Sequence, residues 1–169
     1  MKRSAALNTK SAVVKAGKLF FSILVCLSAG FIGSAATTPS IPTWYAGLRK
    51  PAFNPPNWIF APVWTTLFIL MGIAAFIVWD KGIRDKRTRF ALWAFAVQLI
   101  LNSLWSFIFF YFHSPFLAFL ELILLWCAIL WTSILFYGIS RAASLLMLPY
   151  ILWLSFAAVL NFSILLLNK

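Results

Sequence analysis

The chain has 169 residues, of which 63% are hydrophobic and only 10% are charged, and it carries nine Trp, four Tyr and eighteen Phe. Soluble domains carry about 25% charged residues, and one of this size leaves roughly 30% of its chain surface in water. The composition therefore excludes a soluble globular domain, a disordered chain and a disulfide scaffold. It indicates a protein whose solvent is the lipid bilayer.

The net charge is +11, from fourteen Lys and Arg against three acids. Almost all of the basic residues lie outside the apolar runs, where they set membrane orientation and attract anionic lipid. Their position favours a membrane partner, and we expect no nucleic-acid partner.

The chain begins with a basic arm, residues 1–18, followed by an apolar run at 19–36. A secretory signal peptide begins in the same way, but its apolar part usually spans about 7–15 residues. Because this run is longer and further apolar runs follow it, we predict a first transmembrane helix that is retained.

Five apolar runs are long enough, or nearly long enough, to cross a bilayer as helices, for which about 20 residues are needed. Backbone polar groups in lipid must be satisfied within each segment, so the runs are predicted to be helical. The expected fold is an all-α membrane protein, a five-transmembrane-helix bundle that forms one domain over residues 19–169. The predicted spans are 19–36, 59–79, 90–112, 115–137 and 144–167.

The connections between the runs also carry information. The first, loop 1 at 37–58, contains five prolines and is predicted to be stiff, with turns and polyproline II structure. The other connections are short, which makes successive helices antiparallel neighbours. A tight turn is expected at residues 113–114, before Pro115 at a helix start. Pro149 is expected to kink the last helix or to mark a local start.

Lys and Arg also predict the orientation of the chain. With the N-terminus inside, eleven basic residues lie on the inner side and three on the outer side. We therefore predict a multi-pass protein with a cytoplasmic N-terminus, a C-terminus on the opposite face and loop 1 outside.

No phosphate-binding loop, nucleophile motif or metal-ligand cluster is present in the sequence. The single histidine, His113, is expected at a surface or interface. Glu121 is the one acid within a predicted span; it is either a functional carboxyl group or a neutral partner in an interhelical hydrogen bond. Gln98 and Asn102 share one helix face, where they either join helices or contact a ligand.

The tryptophans fall into two groups. Trp44, Trp58, Trp79 and Trp93 lie near predicted membrane interfaces, where an aromatic belt is usual. Trp64, Trp105 and Trp153 lie deeper, and each indole N–H needs a partner there. Several such rings facing inward would form an apolar pocket suited to a planar or bulky hydrophobic ligand.

Five stretches form a specific pattern when they are taken in order. They are 44–51 (WYAGLRKP), 55–58 (PPNW), 62–65 (PVWT), 98–105 (QLILNSLW) and 149–157 (PYILWLSFA) with Leu160-Asn161. Together they resemble the TspO/MBR family of tryptophan-rich sensory proteins and translocator proteins, over about residues 19–168. Glu121 also falls where the fourth helix of that family often carries an acid.

The resemblance implies a five-helix bundle that binds protoporphyrin IX or haem, sterols, and ligands of the benzodiazepine or isoquinoline carboxamide type in a pocket lidded by loop 1. It implies no obligatory cofactor, no metal site and a homodimer. The protein would act as sensor, regulator or carrier. The alternatives are a light- and oxygen-dependent porphyrin-degrading enzyme and a porphyrin or sterol transporter. By motif, the pocket would contain Tyr45, Pro55, Trp64, Asn102, Trp153 and Ala157, with Trp64 and Trp153 as the catalytic pair if degradation occurs.

One departure concerns sterols. Animal members of the family carry a C-terminal pattern of Leu or Val, then Tyr, then Lys or Arg. Here Leu160 is followed by Phe162 in place of Tyr, and Lys169 is distant. The sequence therefore does not support cholesterol recognition at that point and is closer to a bacterial member.

Overall fold

The computed structural model describes the backbone of residues 2–169 and the side chains of residues 12–169, so most side chains of the predicted basic arm lie outside the described residues. The described chain is helical between short connections. Its elements are α1 (Lys2–Ser40), α2 (Trp44–Gly47), α3 (Asn57–Asp80), α4 (Lys86–Ser106), a π-helical segment (Phe107–Tyr111), α5 (Pro115–Tyr137) and α6 (Arg141–Leu167).

Within the described residues, five helices are long and apolar enough to cross a membrane: α1 from Ala12, α3, α4 with the π-helical segment, α5 and α6. Each packs mainly on two neighbours, so that the five close a ring in the order α1, α3, α6, α5, α4, and α3 also contacts α4 across the ring. The short helix α2 lies against the end of α1. These observations confirm the predicted all-α fold with five membrane-crossing helices.

Side-chain caps explain where three helices begin. The Asp85 carboxylate accepts hydrogen bonds from the backbone N–H groups of Arg87 and Thr88 at the start of α4. Ser114 and Ser140 cap α5 and α6 in the same way. These caps satisfy N–H groups that have no partner within the helix. The tight turn before Pro115 is observed, with His113 in the left-handed region at φ 52°.

Three features differ from the expectations. Helix α1 continues to Ser40, beyond the predicted start of loop 1 at 37, and includes Pro39 in its last turn. Helix α6 begins at Arg141 and runs through Pro149, so this proline does not start a helix. In a bundle, neighbouring helices hold a proline-containing turn in place. The π-helical segment after α4 has no counterpart in the apolar pattern, because it changes hydrogen bonding and leaves hydropathy unchanged.

The two ends of the ring are built differently. We call the end with loop 1, the turn at 113–114 and the C-terminus the loop 1 end, and the opposite end, with the connection between α3 and α4, the basic end. At the basic end, Asp80 forms ion pairs with Lys15 at 3.1 Å and Lys18 at 3.4 Å, which join α1 to α3. Further up, a Cβ placed on Gly72 would lie 2.6 Å from the Cα of Ile23. Glycine therefore permits α1 and α3 to touch here.

Candidate ligand-binding cavity

A cavity of about 420 Å³ lies inside the ring at the loop 1 end. Side chains of α1, α2, α3, α4, the π-helical segment and α6 line it, and most of this lining is apolar. The volume falls within the roughly 300–1,000 Å³ typical of small-molecule sites. The ring thus encloses a space for an organic ligand at the end where loop 1 lies.

Two of the predicted tryptophans form walls of this cavity from different helices. Trp64 of α3 and Trp153 of α6 both line it. The ring of Trp64 meets that of Tyr150 edge-on, with centroids 6.1 Å apart. The ring of Trp153 packs against Phe60 at 5.9 Å and Phe156 at 5.4 Å. The walls are therefore indoles held in place by further aromatic rings.

The Trp153 indole N–H is buried and finds no hydrogen-bond partner among the described residues. Burying a polar group without a partner is costly, so such groups are rare in folded proteins. An acceptor brought by a ligand would satisfy this donor.

Asn102 contributes polarity to the cavity from α4. Its Nδ2 donates a hydrogen bond of 2.7 Å to the hydroxyl of Tyr150, which is fully buried. This bond joins α4 to α6 and fixes the orientation of the amide. Of the two roles foreseen for Asn102, the structure shows helix joining, and it also places the residue in the cavity lining.

Trp105 also lines the cavity, although it was not among the predicted site residues. Its Nε1 donates to Asn161 Oδ1 at 3.3 Å, and Asn161 Nδ2 donates to the carbonyl of Pro115 at 2.9 Å. Its ring stacks on Phe109 with centroids 5.1 Å apart. Its depth in the span had marked it as a ring that could form a pocket, but the family motifs did not carry it into the predicted site.

Loop 1 forms the roof of the cavity through Tyr45 in α2. This side chain is buried against Phe109 and Phe110 of the π-helical segment, and its hydroxyl donates to Asn54 Oδ1 at 3.1 Å. Burial raises the pKa of the Tyr45 hydroxyl above its ordinary value, and the hydrogen bond to Asn54 partly opposes that rise. The roof is therefore a neutral, packed ring.

The C-terminus fastens this roof. Asn168 Oδ1 accepts the backbone N–H of Arg49 at 2.9 Å, and Asn168 Nδ2 donates to the carbonyl of Arg49 at 2.9 Å. Nδ2 also donates to the carbonyl of Ile164 at 2.8 Å. One side chain thus ties loop 1 to the end of α6. The sequence alone does not reveal this contact, because Arg49 and Asn168 lie far apart along the chain.

Five of the six predicted site residues line the cavity together, namely Tyr45, Trp64, Asn102, Trp153 and Ala157. Pro55 does not belong to the lining. It follows Asn54, whose Nδ2 donates to the Pro55 carbonyl at 3.0 Å. Pro55 therefore lies beside the group that orients Tyr45 and not on the cavity wall.

Helix α1 supplies a wall that was not predicted. Gly30 and Gly33 line the cavity, and a Cβ on Gly30 would collide with the ring of Phe68. On the side between α1 and α3, the lining residues Ser34, Thr38 and Thr65 are exposed. The cavity is therefore least covered toward the lipid-facing surface between these two helices. The small residues of α1 were the available signal.

The remaining candidates lie elsewhere. Glu121 and Gln98 are buried outside the cavity lining, and neither side chain has a hydrogen-bond partner among the described residues. Trp44 stacks on His113 at 4.4 Å on the surface of the loop 1 end. Trp58 and Trp93 are 74% and 71% exposed, as expected for rings that face lipid or its interface.

Comparison with known proteins identifies the family. The model of the TspO/MBR family matches residues 22–167. The tryptophan-rich protein TspO of Archaeoglobus fulgidus is 47% identical over 152 residues, which cover 89% of this chain and 97% of the relative. The human translocator protein is 36% identical over 136 residues, 79% of this chain and 80% of the relative.

A third relative, the tryptophan-rich sensory protein of Cereibacter sphaeroides, is 33% identical over 150 residues, 89% of this chain and 91% of the relative. The family match reaches all five apolar helices, the first from residue 22 onward, and includes every residue that was predicted to line the pocket. The chain is a multi-pass integral membrane protein that belongs to the TspO/MBR family.

Proposed function

We propose that the protein binds tetrapyrroles such as protoporphyrin IX in the cavity beneath loop 1 and acts as a sensor, regulator or carrier. The observation that carries the proposal is the pair of indoles, Trp64 and Trp153, in the walls of one largely apolar cavity. A planar macrocycle offers flat faces to such rings, and aromatic pairs gain about 0.5–1.5 kcal/mol beyond the burial of area. Ligands of the benzodiazepine or isoquinoline carboxamide type have the same flat, apolar character.

The polar groups around the cavity also suit a tetrapyrrole. The Trp153 N–H offers a free donor. Arg49 and Lys50 are the only cations between residues 19 and 80, and both lie in loop 1, with Lys50 Nζ 4.5 Å from the centre of the Tyr45 ring in the roof. A macrocycle with carboxylates along one edge would direct that edge toward loop 1, where charge-assisted contacts are available.

Titration of the protein with protoporphyrin IX tests the proposal, with Trp fluorescence as the readout. Binding should quench the fluorescence, and a variant carrying both Trp64→Phe and Trp153→Phe should bind about 3–10-fold more weakly, the equivalent of losing one aromatic pairing. The matched control carries Trp58→Phe and Trp93→Phe, which removes two exposed indoles. Equal affinity in the two double variants would remove the cavity assignment.

A second candidate function is light- and oxygen-dependent degradation of the bound porphyrin, with oxygen as oxidant. Trp64 favours it, since its ring lies in the cavity wall and meets Tyr150, whose hydroxyl is bonded to Asn102. Such a chain of rings could pass an electron to or from an excited ligand. Illumination of the complex should give a defined product that requires Trp64 and Trp153. Bleaching at the same rate and to the same products by free porphyrin would exclude catalysis.

A further inference from the structure

A second apolar cavity of about 590 Å³ lies between α3 and α6, on the outer surface of the ring. We call it the α3–α6 groove. Val63 and Leu70 line it from α3, and Pro149 and Leu152 line it from α6. Pro149 and Leu152 are exposed, so the groove is open on its outer side.

The groove and the inner cavity share one residue of importance. Trp153 lines both of them. Its indole is therefore the partition between the ligand cavity and the outer surface, and a molecule seated in the groove would contact the side chain that the proposed function assigns to the ligand.

The chemistry of the groove selects an apolar occupant. Apart from the shared indole, its one polar side chain is Thr66, and the Thr66 hydroxyl already donates to the carbonyl of Pro62 at 2.9 Å. The inner cavity, in contrast, is lined by Asn102, Asn161 and Tyr45. A headgroup or a polar ligand would find no partner in the groove, whereas a hydrocarbon chain would lose nothing there.

The position of the groove brings it into contact with the hydrocarbon chains of the bilayer. Both helices are membrane-crossing by length and composition, and the open side of the groove continues their lipid-facing surface. From Pro62 to Leu70 the groove follows α3 over nine residues, a rise of about 12 Å along the helix axis. This direction is the one in which acyl chains extend in a bilayer.

We propose that the α3–α6 groove holds one acyl chain of a bilayer phospholipid, and that this chain keeps the Trp153 indole at the wall of the inner cavity. With the groove filled, the indole has no space to turn outward. Lipid binding in the groove stands independently of the proposed function. Its effect on ligand affinity rests on that function.

Retention of lipid tests the first part. The protein is reconstituted in phosphatidylcholine vesicles, extracted in mild detergent and examined by native mass spectrometry. We expect one retained phospholipid, and about tenfold less retention when Val63→Phe and Leu70→Phe fill the groove, the effect of losing about two methylene contacts. The control carries Ile123→Phe and Leu124→Phe on the exposed face of α5 and should match the wild type.

A single change at the rim, Leu152→Trp, gives the same test at a site that is 70% exposed and therefore tolerant of size. It should lower retention in the same direction without altering thermal stability. Retention that is equal in the rim variant, the filled variant and the control would overturn the proposal, because the lipid would then be bound to the general surface. Absence of retained lipid in the wild type would overturn it as well.

Porphyrin titration of the same variants tests the coupling. If the acyl chain positions Trp153, removal of the lipid should lower the affinity of the wild type for protoporphyrin IX severalfold. In the protein with the filled groove, removal of the lipid should leave this affinity unchanged. An unchanged wild-type affinity after stripping would overturn the coupling. Since retention is measured without porphyrin, failure of porphyrin binding would leave the lipid result intact.

Discussion

The two ends of the bundle use the same five helices for opposite purposes. At the basic end, small and fully buried residues such as Ala74, Ala91 and Ala143 bring the helices together, and ion pairs join α1 to α3. At the loop 1 end, α1, α3, α4 and α6 surround a cavity whose walls include indole and phenyl rings. The bundle is therefore solid at one end and encloses a ligand-sized space at the other.

This contrast also separates stability from binding. Changes at the basic end should act on folding and leave the ligand site intact in the molecules that fold. Changes at the loop 1 end should act on ligand binding and release with smaller effects on folding. The following predictions test that separation, from the largest expected effect to the smallest.

The largest loss of stability is expected for Gly72→Ala. The added Cβ would lie 2.6 Å from the Cα of Ile23 and 2.9 Å from its backbone N, and backbone cannot move aside as a side chain can. Overpacking of this kind costs about 1–3 kcal/mol. Thermal unfolding in detergent measures it. The control is Gly17→Ala, which meets nothing within 4 Å and should be neutral or slightly stabilising. Equal melting temperatures would show that α1 and α3 are not in contact at Gly72.

The next effect concerns the hydrogen bond at the boundary between the two halves. Asn102→Leu would leave the buried Tyr150 hydroxyl without its partner, at a cost of about 0.6–2 kcal/mol in a membrane protein. Adding Tyr150→Phe removes the unpaired hydroxyl and should recover part of that stability. Thermal unfolding of the single and double variants provides the comparison. A double variant that is less stable by the full sum of the two single changes would show that the bond contributes nothing.

A smaller effect on stability, with a clear effect on dynamics, is expected for Asn168→Ala. The change removes both hydrogen bonds that tie Arg49 to the C-terminus. Both bonds are exposed, so water replaces them and the net loss of stability is small. Amide hydrogen exchange should become faster at residues 48–50, and bound porphyrin should dissociate faster. Exchange that is unchanged in loop 1 would show that Asn168 does not fasten the roof. Exchange in α5 serves as the internal reference.

The smallest effect is expected for Asp80→Asn at the basic end. This change removes the ion pairs with Lys15 and Lys18, and because solvent screens such pairs they contribute little to stability. The loss of stability should shrink further in high salt, which screens such charges. Porphyrin affinity should not change. A weaker affinity in this variant would contradict the separation between the two ends.

Much of the fold followed from hydropathy alone. The span predicted at 115–137 coincides with α5, because Pro115 and the Ser114 cap mark its start and the apolar run ends with the helix. The first helix was harder, since Thr37 and Pro39 read as loop residues. In the structure Thr37 donates its hydroxyl to the carbonyl of Gly33 and continues the helix. A polar side chain that hydrogen-bonds to its own helix can lie within a span, and hydropathy alone does not show this.

Depth within the spans predicted that Trp64, Trp105 and Trp153 could form a pocket, and all three line the cavity. The family resemblance added Tyr45, Asn102 and Ala157, which also line it. Gly30 and Gly33 of α1 were missed, because small residues on a membrane helix more often indicate close helix packing than a cavity wall. The bond from Asn168 to Arg49 joins residues 119 positions apart, and no local pattern reveals such a contact. Orientation across the membrane and the homodimer stay predictions.

A structure of the protein in complex with protoporphyrin IX tests the central claim most directly. The account predicts a macrocycle in the inner cavity, between the indoles of Trp64 and Trp153 and beneath Tyr45, with its carboxylate edge toward Arg49 and Lys50. A macrocycle in the α3–α6 groove or on another lipid-facing surface, with the inner cavity free of ligand, would contradict it.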